Sequence, residues 1–368
     1  MKNGCKYLSI ILIILGFFAV IPQQTLKAVN TYPAGSVVWE KSLNGIVYGI
    51  PVIVNDRVYF GTGTDNMFYC LDYLDGDRIW KMALLEAPLS PPLVIGDKIF
   101  VGGENGVLYC LDADNGDILW KKYFNGVIYS GLTYYDGSLV LATADGYLYL
   151  VDAATGDSEW RQRTFDKFIN RPVVVNDKIF IAGAEEGNIY CFDIETGAQL
   201  WSEKASAAVE MTIGYDDENV YYGDIEGGLY ARTQDFGNPV YTVQFEEGFY
   251  GSATLINDRL YIGGFKNFYC LDKMWGSIIW EGEEANNPFL TPVFIGDYCI
   301  AANLDGKAYI YYTPTGDFEW YYDTGYRITT SPIYYDGLLF LTTLEKKMIV
   351  VSVGNAGYAG NVDTGQEY

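Results

Sequence analysis

Carboxylates dominate what this chain could use for chemistry. Aspartate and glutamate number 47 against 24 lysines and arginines, a formal charge of −23, and histidine is absent. Without histidine there is neither the usual neutral-pH acid/base group nor an imidazole metal ligand. Histidine-dependent triads, zinc hydrolase sites and HExxH chemistry are excluded, leaving carboxylates and tyrosines. The run Asp112-Ala113-Asp114-Asn115-Gly116-Asp117 has the spacing that opens a calcium loop. Such a loop also needs a distal bidentate glutamate and flanking helices. Neither is present, so the run reads as turn chemistry, and no metal and no cofactor are expected. Nucleic acid is an unsuitable partner for so acidic a chain.

The elements that hold these residues follow from a repeat. Trp39, Trp80, Trp120, Trp160, Trp201, Trp280 and Trp320 recur at steps of 40 or 41 residues with one gap of 79, which Tyr241 fills on the same beat. A glycine stands four residues before each: Gly35, Gly76, Gly116, Gly156, Gly197, Gly237, Gly276 and Gly316. A period near 40 marks a solenoid or propeller. Within one unit, Pro51–Val54, Arg57–Phe60, Met67–Asp72 and Arg78–Leu84 read as short strands separated by Asn55-Asp56, a loop at 61–66 and Asp75-Gly76. Four antiparallel strands per unit make one propeller blade. Seven complete units end at 80, 120, 160, 201, 241, 280 and 320, and three further strands follow, around Ser331–Tyr335, Leu338–Thr342 and Met348–Ser352. An orphan strand around Val37–Leu43 precedes the first unit. It should complete the last blade, giving an all-β, eight-bladed propeller over residues 35–353, closed by its own ends.

The repeat assigns roles to its columns. Each tryptophan should wedge between neighbouring blades, with the glycine permitting close approach. Asp72, Asp112, Asp152, Asp193 and Asp272, four residues before the glycine, should cap the turn. Cys70, Cys110, Cys191 and Cys270 share one position. Equivalent positions in stacked sheets lie about 10 Å apart, beyond the about 7 Å a disulfide allows, so free buried thiols are expected, as for Cys299.

Aligning the units on their first hairpin turn exposes one column just before the innermost strand: Tyr48, Leu89, Tyr129, Ile169, Glu210, Tyr250, Phe289 and Thr329. Two positions on, the residues are small or apolar except Arg171. In a propeller such columns become rings. Tyr48, Tyr129, Tyr250 and Phe289 would form an interrupted aromatic ring at a channel mouth, with Arg171 and Glu210 on one side. Arg171 and Glu210 read either as a structural ion pair or as a charged binding spot; Tyr and Arg are the residue types enriched at binding hot spots.

The segments 109–120 (YCLDADNGDILW) and 150–160 (LVDAATGDSEW) resemble the tryptophan-docking repeat of the PQQ-like, quinoprotein-type propeller family. Two branches share that repeat. The resemblance to the enzymes that bind pyrroloquinoline quinone and calcium implies an adjacent Cys-Cys pair and long insertions, and this chain has neither. The non-catalytic branch, which includes the propeller subunit of the bacterial outer-membrane barrel-assembly machine, implies a non-enzymatic scaffold with a protein partner. A solute, glycan or quinone binder, or a quinone-dependent dehydrogenase, at the channel mouth is the alternative.

Residues 1–28 read as a secretory signal: Lys2 and Lys6, an apolar run from Leu8 to Ile21, and Leu26-Lys27-Ala28 as cleavage site. The run is shorter than the about 20 residues a spanning helix needs. Membrane contact is therefore expected at most through this segment left uncleaved. The expected protein is an extracytoplasmic monomer, periplasmic, secreted or at the cell surface, with a disordered tail over 354–368.

Overall fold

The computed structural model describes residues 32–282 and 285–354. Residues 1–28, expected to be a secretory signal, and the tail beyond Gly354 lie outside the described residues. Among the described residues no helix is long and apolar enough to cross a membrane.

Blade one shows how the repeat folds. Strand β1 (Val37–Ser42) belongs elsewhere, and β2 (Val52–Val54), β3 (Arg57–Thr62), β4 (Met67–Asp72) and β5 (Arg78–Ala83) form an antiparallel meander. Asn55 and Asp56 take left-handed φ of 51° and 63°, the geometry of a two-residue hairpin turn that matches strand twist. Asp72 accepts the Leu74 amide at 2.8 Å and Asp112 the Asp114 amide at 2.9 Å, which closes the turn between third and fourth strands. The Asp112–Asp117 run is such a turn, with Asn115 accepting the Asp117 amide.

Seven sheets repeat this pattern, and an eighth pairs β1 with Lys347–Ser352, then Leu338–Thr342 and Ile333–Tyr335. Eight blades closed by the N-terminal strand are therefore observed. Cores lie between adjacent blades, as where Phe68, Cys70 and Trp80 of blade one meet Ile99, Val101 and Tyr109 of blade two. Cys70, Cys110, Cys191, Cys270 and Cys299 are buried and free.

The tryptophan column interlocks the blades. In every blade the register of the fourth strand slips by one residue beside the aromatic, as between Cys70↔Trp80 and Leu71↔Arg78. This bulge re-aims the ring toward the next blade. Trp39 then faces Gly76, Trp80 faces Gly116, Trp120 faces Gly156, Trp160 faces Gly197, Trp201 faces Gly237, Tyr241 faces Gly276, Trp280 faces Gly316 and Trp320 faces Gly35. A Cβ on Gly116 would lie 2.7 Å from the Trp80 ring, so only glycine admits the docked indole. The indole N–H of Trp39 donates to the Tyr73 carbonyl at 2.9 Å, and that of Trp160 to the Ile194 carbonyl at 2.9 Å.

Candidate functional site at the channel mouth

The innermost strands of neighbouring blades face one another around the channel, and residues leading into them rim one mouth. Tyr48 is 50% exposed and Tyr129 44%. The Tyr48 ring packs where a Cβ on Gly63 would stand, beside the Leu89 side chain, which fixes its orientation. Tyr250 is half-buried, with its ring 6.0 Å from that of Phe265. Burial, and then the charge of Glu210, push the Tyr250 hydroxyl above the ordinary tyrosine range. Glu210 thus acts on the next blade's tyrosine, as one ring requires.

Phe289 does not belong to this ring. It is fully buried, its ring packed against Phe268 and Tyr309 at 6.1 and 5.6 Å. It bridges Asn303 as Pro88 bridges Gly103 and Phe249 bridges Gly264. Blade seven has lost one residue between this bridge and its first strand at Val293, so alignment on the hairpin turn is one residue out here. Leu290 takes the rim position: its amide donates to Ala302 at 2.8 Å, as that of Tyr250 does to Gly263.

Arg171 and Glu210 are both exposed, on adjacent blades. The Arg171 stem packs against Gly131, its Cδ 3.3 Å from where a Cβ would stand. The pair is therefore not a buried structural one. Buried carboxylates do occur nearby, and they hold loops. Asp166 accepts the amides of Lys167, Glu185 and Glu186 at 2.9–3.1 Å. Asp224 accepts the Ser206 hydroxyl at 2.6 Å, the Tyr230 hydroxyl at 2.8 Å and the Gly228 amide at 2.8 Å. Burial pushes the Asp224 carboxyl up, but these hydrogen bonds outweigh it and hold it below the ordinary carboxylate range. Carboxylates saturated in this way stiffen the rim and are poorly placed to move protons.

The mouth face carries more apolar surface than the two tyrosines. Ile50 lines the rim, and Leu85, Phe165, Ile225 and Leu344 stand exposed on the surrounding loops. Their residue types give no sign of this, because an apolar loop residue reads the same whether buried or presented. Among the described residues no three acidic or cysteine side chains converge as a metal cage.

The family model described as outer membrane protein assembly factor BamB matches residues 22–243, more than half of the chain. The chain belongs to this family. It is 22% identical over 151 residues to outer membrane protein assembly factor BamB of Burkholderia pseudomallei (strain K96243). That match covers 41% of this chain and 29% of the relative, so it spans less than a third of the relative's length. Among solved structures, BamB from Moraxella catarrhalis is 18% identical with a TM-score of 0.54, covering 84% of this chain and 86% of that one. Quinohemoprotein alcohol dehydrogenase from Comamonas testosteroni is 13% identical with a TM-score of 0.74, covering 89% and 78%. The computationally designed Ika8 protein is 14% identical with a TM-score of 0.76, covering 86% and 99%. At these identities the structural likeness speaks for the propeller alone.

Proposed function

We propose that this chain is a non-enzymatic scaffold, working outside the cytoplasm, that binds a protein partner at the channel mouth. One observation carries the reading: solvent-facing Tyr48 and Tyr129 share a rim with exposed Arg171 and Glu210. Aromatics offer large contact area at low entropic cost, and a charged pair fixes orientation. Stiff loops pinned by Asp166 and Asp224 reduce the ordering cost of binding. The family supports a partner in protein assembly at the cell envelope. The adjacent Cys-Cys pair that the family resemblance associates with quinone binding is missing from the sequence.

Affinity capture from the native envelope fraction tests this. The intact chain should retain a specific protein that the Tyr48→Ser/Tyr129→Ser variant, melting at the same temperature, does not. Equal retention by both would refute a binding role for the mouth.

A further inference from the structure

On the face opposite the mouth, the turn between third and fourth strands has a fixed chemistry. The residue before its glycine is polar in five blades and accepts the amide two residues on: Asp75 to Asp77 at 2.8 Å, Asn115 to Asp117 at 2.8 Å, Thr155 to Asp157 at 3.3 Å, Thr196 to Ala198 at 3.3 Å and Thr315 to Asp317 at 3.4 Å. Such bonds are the reason Asp, Asn and Thr are favoured in turns. Blades five and six abandon the rule. They place Phe236, 74% exposed, and Trp275, 69% exposed, at this position, and Met274 beside Trp275 is exposed too. Neither ring can make the bond, and neither is taken into the core. The turns lie side by side: Gly276, next to Trp275, stands against Tyr241, which lies on the strand that Phe236 leads into. Two neighbouring blades thus expose large rings where five others place a turn acceptor, and in blade five the Thr233 hydroxyl takes the Asn238 amide instead at 3.1 Å.

The surroundings are acidic. Lys273 of blade six pairs with Asp216 in the blade-five hairpin turn at 3.1 Å, and Lys178 pairs with Asp235 at 2.8 Å. Next to Asp216, the exposed Asp217 and Glu218 carboxylates have no hydrogen-bond or ion-pair partner among the described residues. We propose that the outer turns of blades five and six form a second docking surface. It takes a cationic protein segment that bears aliphatic side chains. Phe236, Met274 and Trp275 supply the apolar anchors, and Asp217 and Glu218 the charge. Anionic nucleic acid and anionic lipid are disfavoured by the same carboxylates.

The test uses the intact protein and three labelled peptides, alternating Lys/Leu, Glu/Leu and Lys/Ser. Phe236→Thr and Trp275→Thr install the residue type used by blades three, four and seven, so the melting temperature should hold or rise. The Lys/Leu peptide should bind and blue-shift the emission of Trp275, while the other two bind at least about tenfold more weakly. The double Thr variant should lose about tenfold or more in Lys/Leu affinity. No preference for the Lys/Leu peptide, unchanged binding by the double variant, or a marked fall in its melting temperature would overturn the proposal. So would ring-dependent binding to phosphatidylglycerol vesicles in place of the peptide, which would make the patch a lipid contact.

Discussion

The Tyr73 hydroxyl donates a 2.9 Å hydrogen bond to Asp336, 263 residues further along the chain. Tyr335 returns the favour to Asp56 at 3.1 Å, and the two tyrosine rings meet edge to face at 5.1 Å. Lys41 of β1 pairs with Asp77 of blade one at 3.0 Å. These contacts join the last blade to the first, so the ring is fastened by side chains as well as by the paired strand.

Seam variants should therefore behave as core variants. Trp39→Ala removes a buried indole with its hydrogen bond to Tyr73 and should cost about 3–5 kcal/mol. Tyr73→Phe, losing one hydrogen bond, should cost about 1 kcal/mol. Urea denaturation followed by circular dichroism measures both. An unchanged midpoint for Trp39→Ala would contradict closure through β1.

Docking of each aromatic on a glycine predicts a contrast between two glycines of one blade. Gly137 (φ +89°) has open space around a Cβ, whereas a Cβ on Gly156 (φ +73°) would lie 2.7 Å from the Trp120 ring and from Lys122. Gly137→Ala should cost only the left-handed strain, about 1–2 kcal/mol. Gly156→Ala should add an overpacking term of about 1–3 kcal/mol. Equal losses in thermal melts would show that the ring does not need the glycine.

The thiols give the pH dependence. Burial pushes Cys70 up to about 11 and Cys110 and Cys191 up to about 12, from an ordinary value of 9.0. The folded state keeps these protons while the unfolded chain releases them, so folding is disfavoured as pH rises. The contribution is fully present below pH 9.0 and is lost as pH climbs toward 11–12. Urea midpoints taken across pH 8 to 11 should fall, and fall less in a Cys110→Ala/Cys191→Ala variant relative to its own value at pH 8. Thiol titration without reductant should find these groups unreactive until denaturant is added. Rapid labelling of the folded protein would contradict the burial.

Much of this was legible in the sequence because the repeat is regular. Trp39 standing without a first unit and three strands left over after Trp320 dictated closure. Four cysteines in one column dictated free thiols. Phe289 was misplaced because a single residue lost before Val293 shifts a loop without disturbing the hairpin from which the register is read. The fourth-strand bulge was invisible because residues on its two sides are unexceptional. Phe236 and Trp275 could have been noticed: a turn column reading Asp, Asn, Thr, Thr, Phe, Trp, Thr breaks its own chemistry. Their exposure is a tertiary fact that residue type does not carry.

Exposure also predicts how the charged rim responds. Arg171→Ala and Glu210→Ala should each change stability by about 1 kcal/mol or less, as surface changes do. A buried pair would lose about 3–5 kcal/mol when one partner is removed. Guanidinium melts of the two single variants distinguish these outcomes, and a large loss in both would return the charges to a structural role.

Site-specific photo-crosslinking in living cells tests the binding mouth most directly. A photoreactive phenylalanine at Tyr48 or Tyr129 is compared with one at Thr155 on the opposite face. The mouth positions should give a discrete protein adduct that the Thr155 position does not, and Glu210→Lys in the same chain should abolish it. Adducts that are absent from the mouth, or equal from both faces, would contradict the proposed scaffold role.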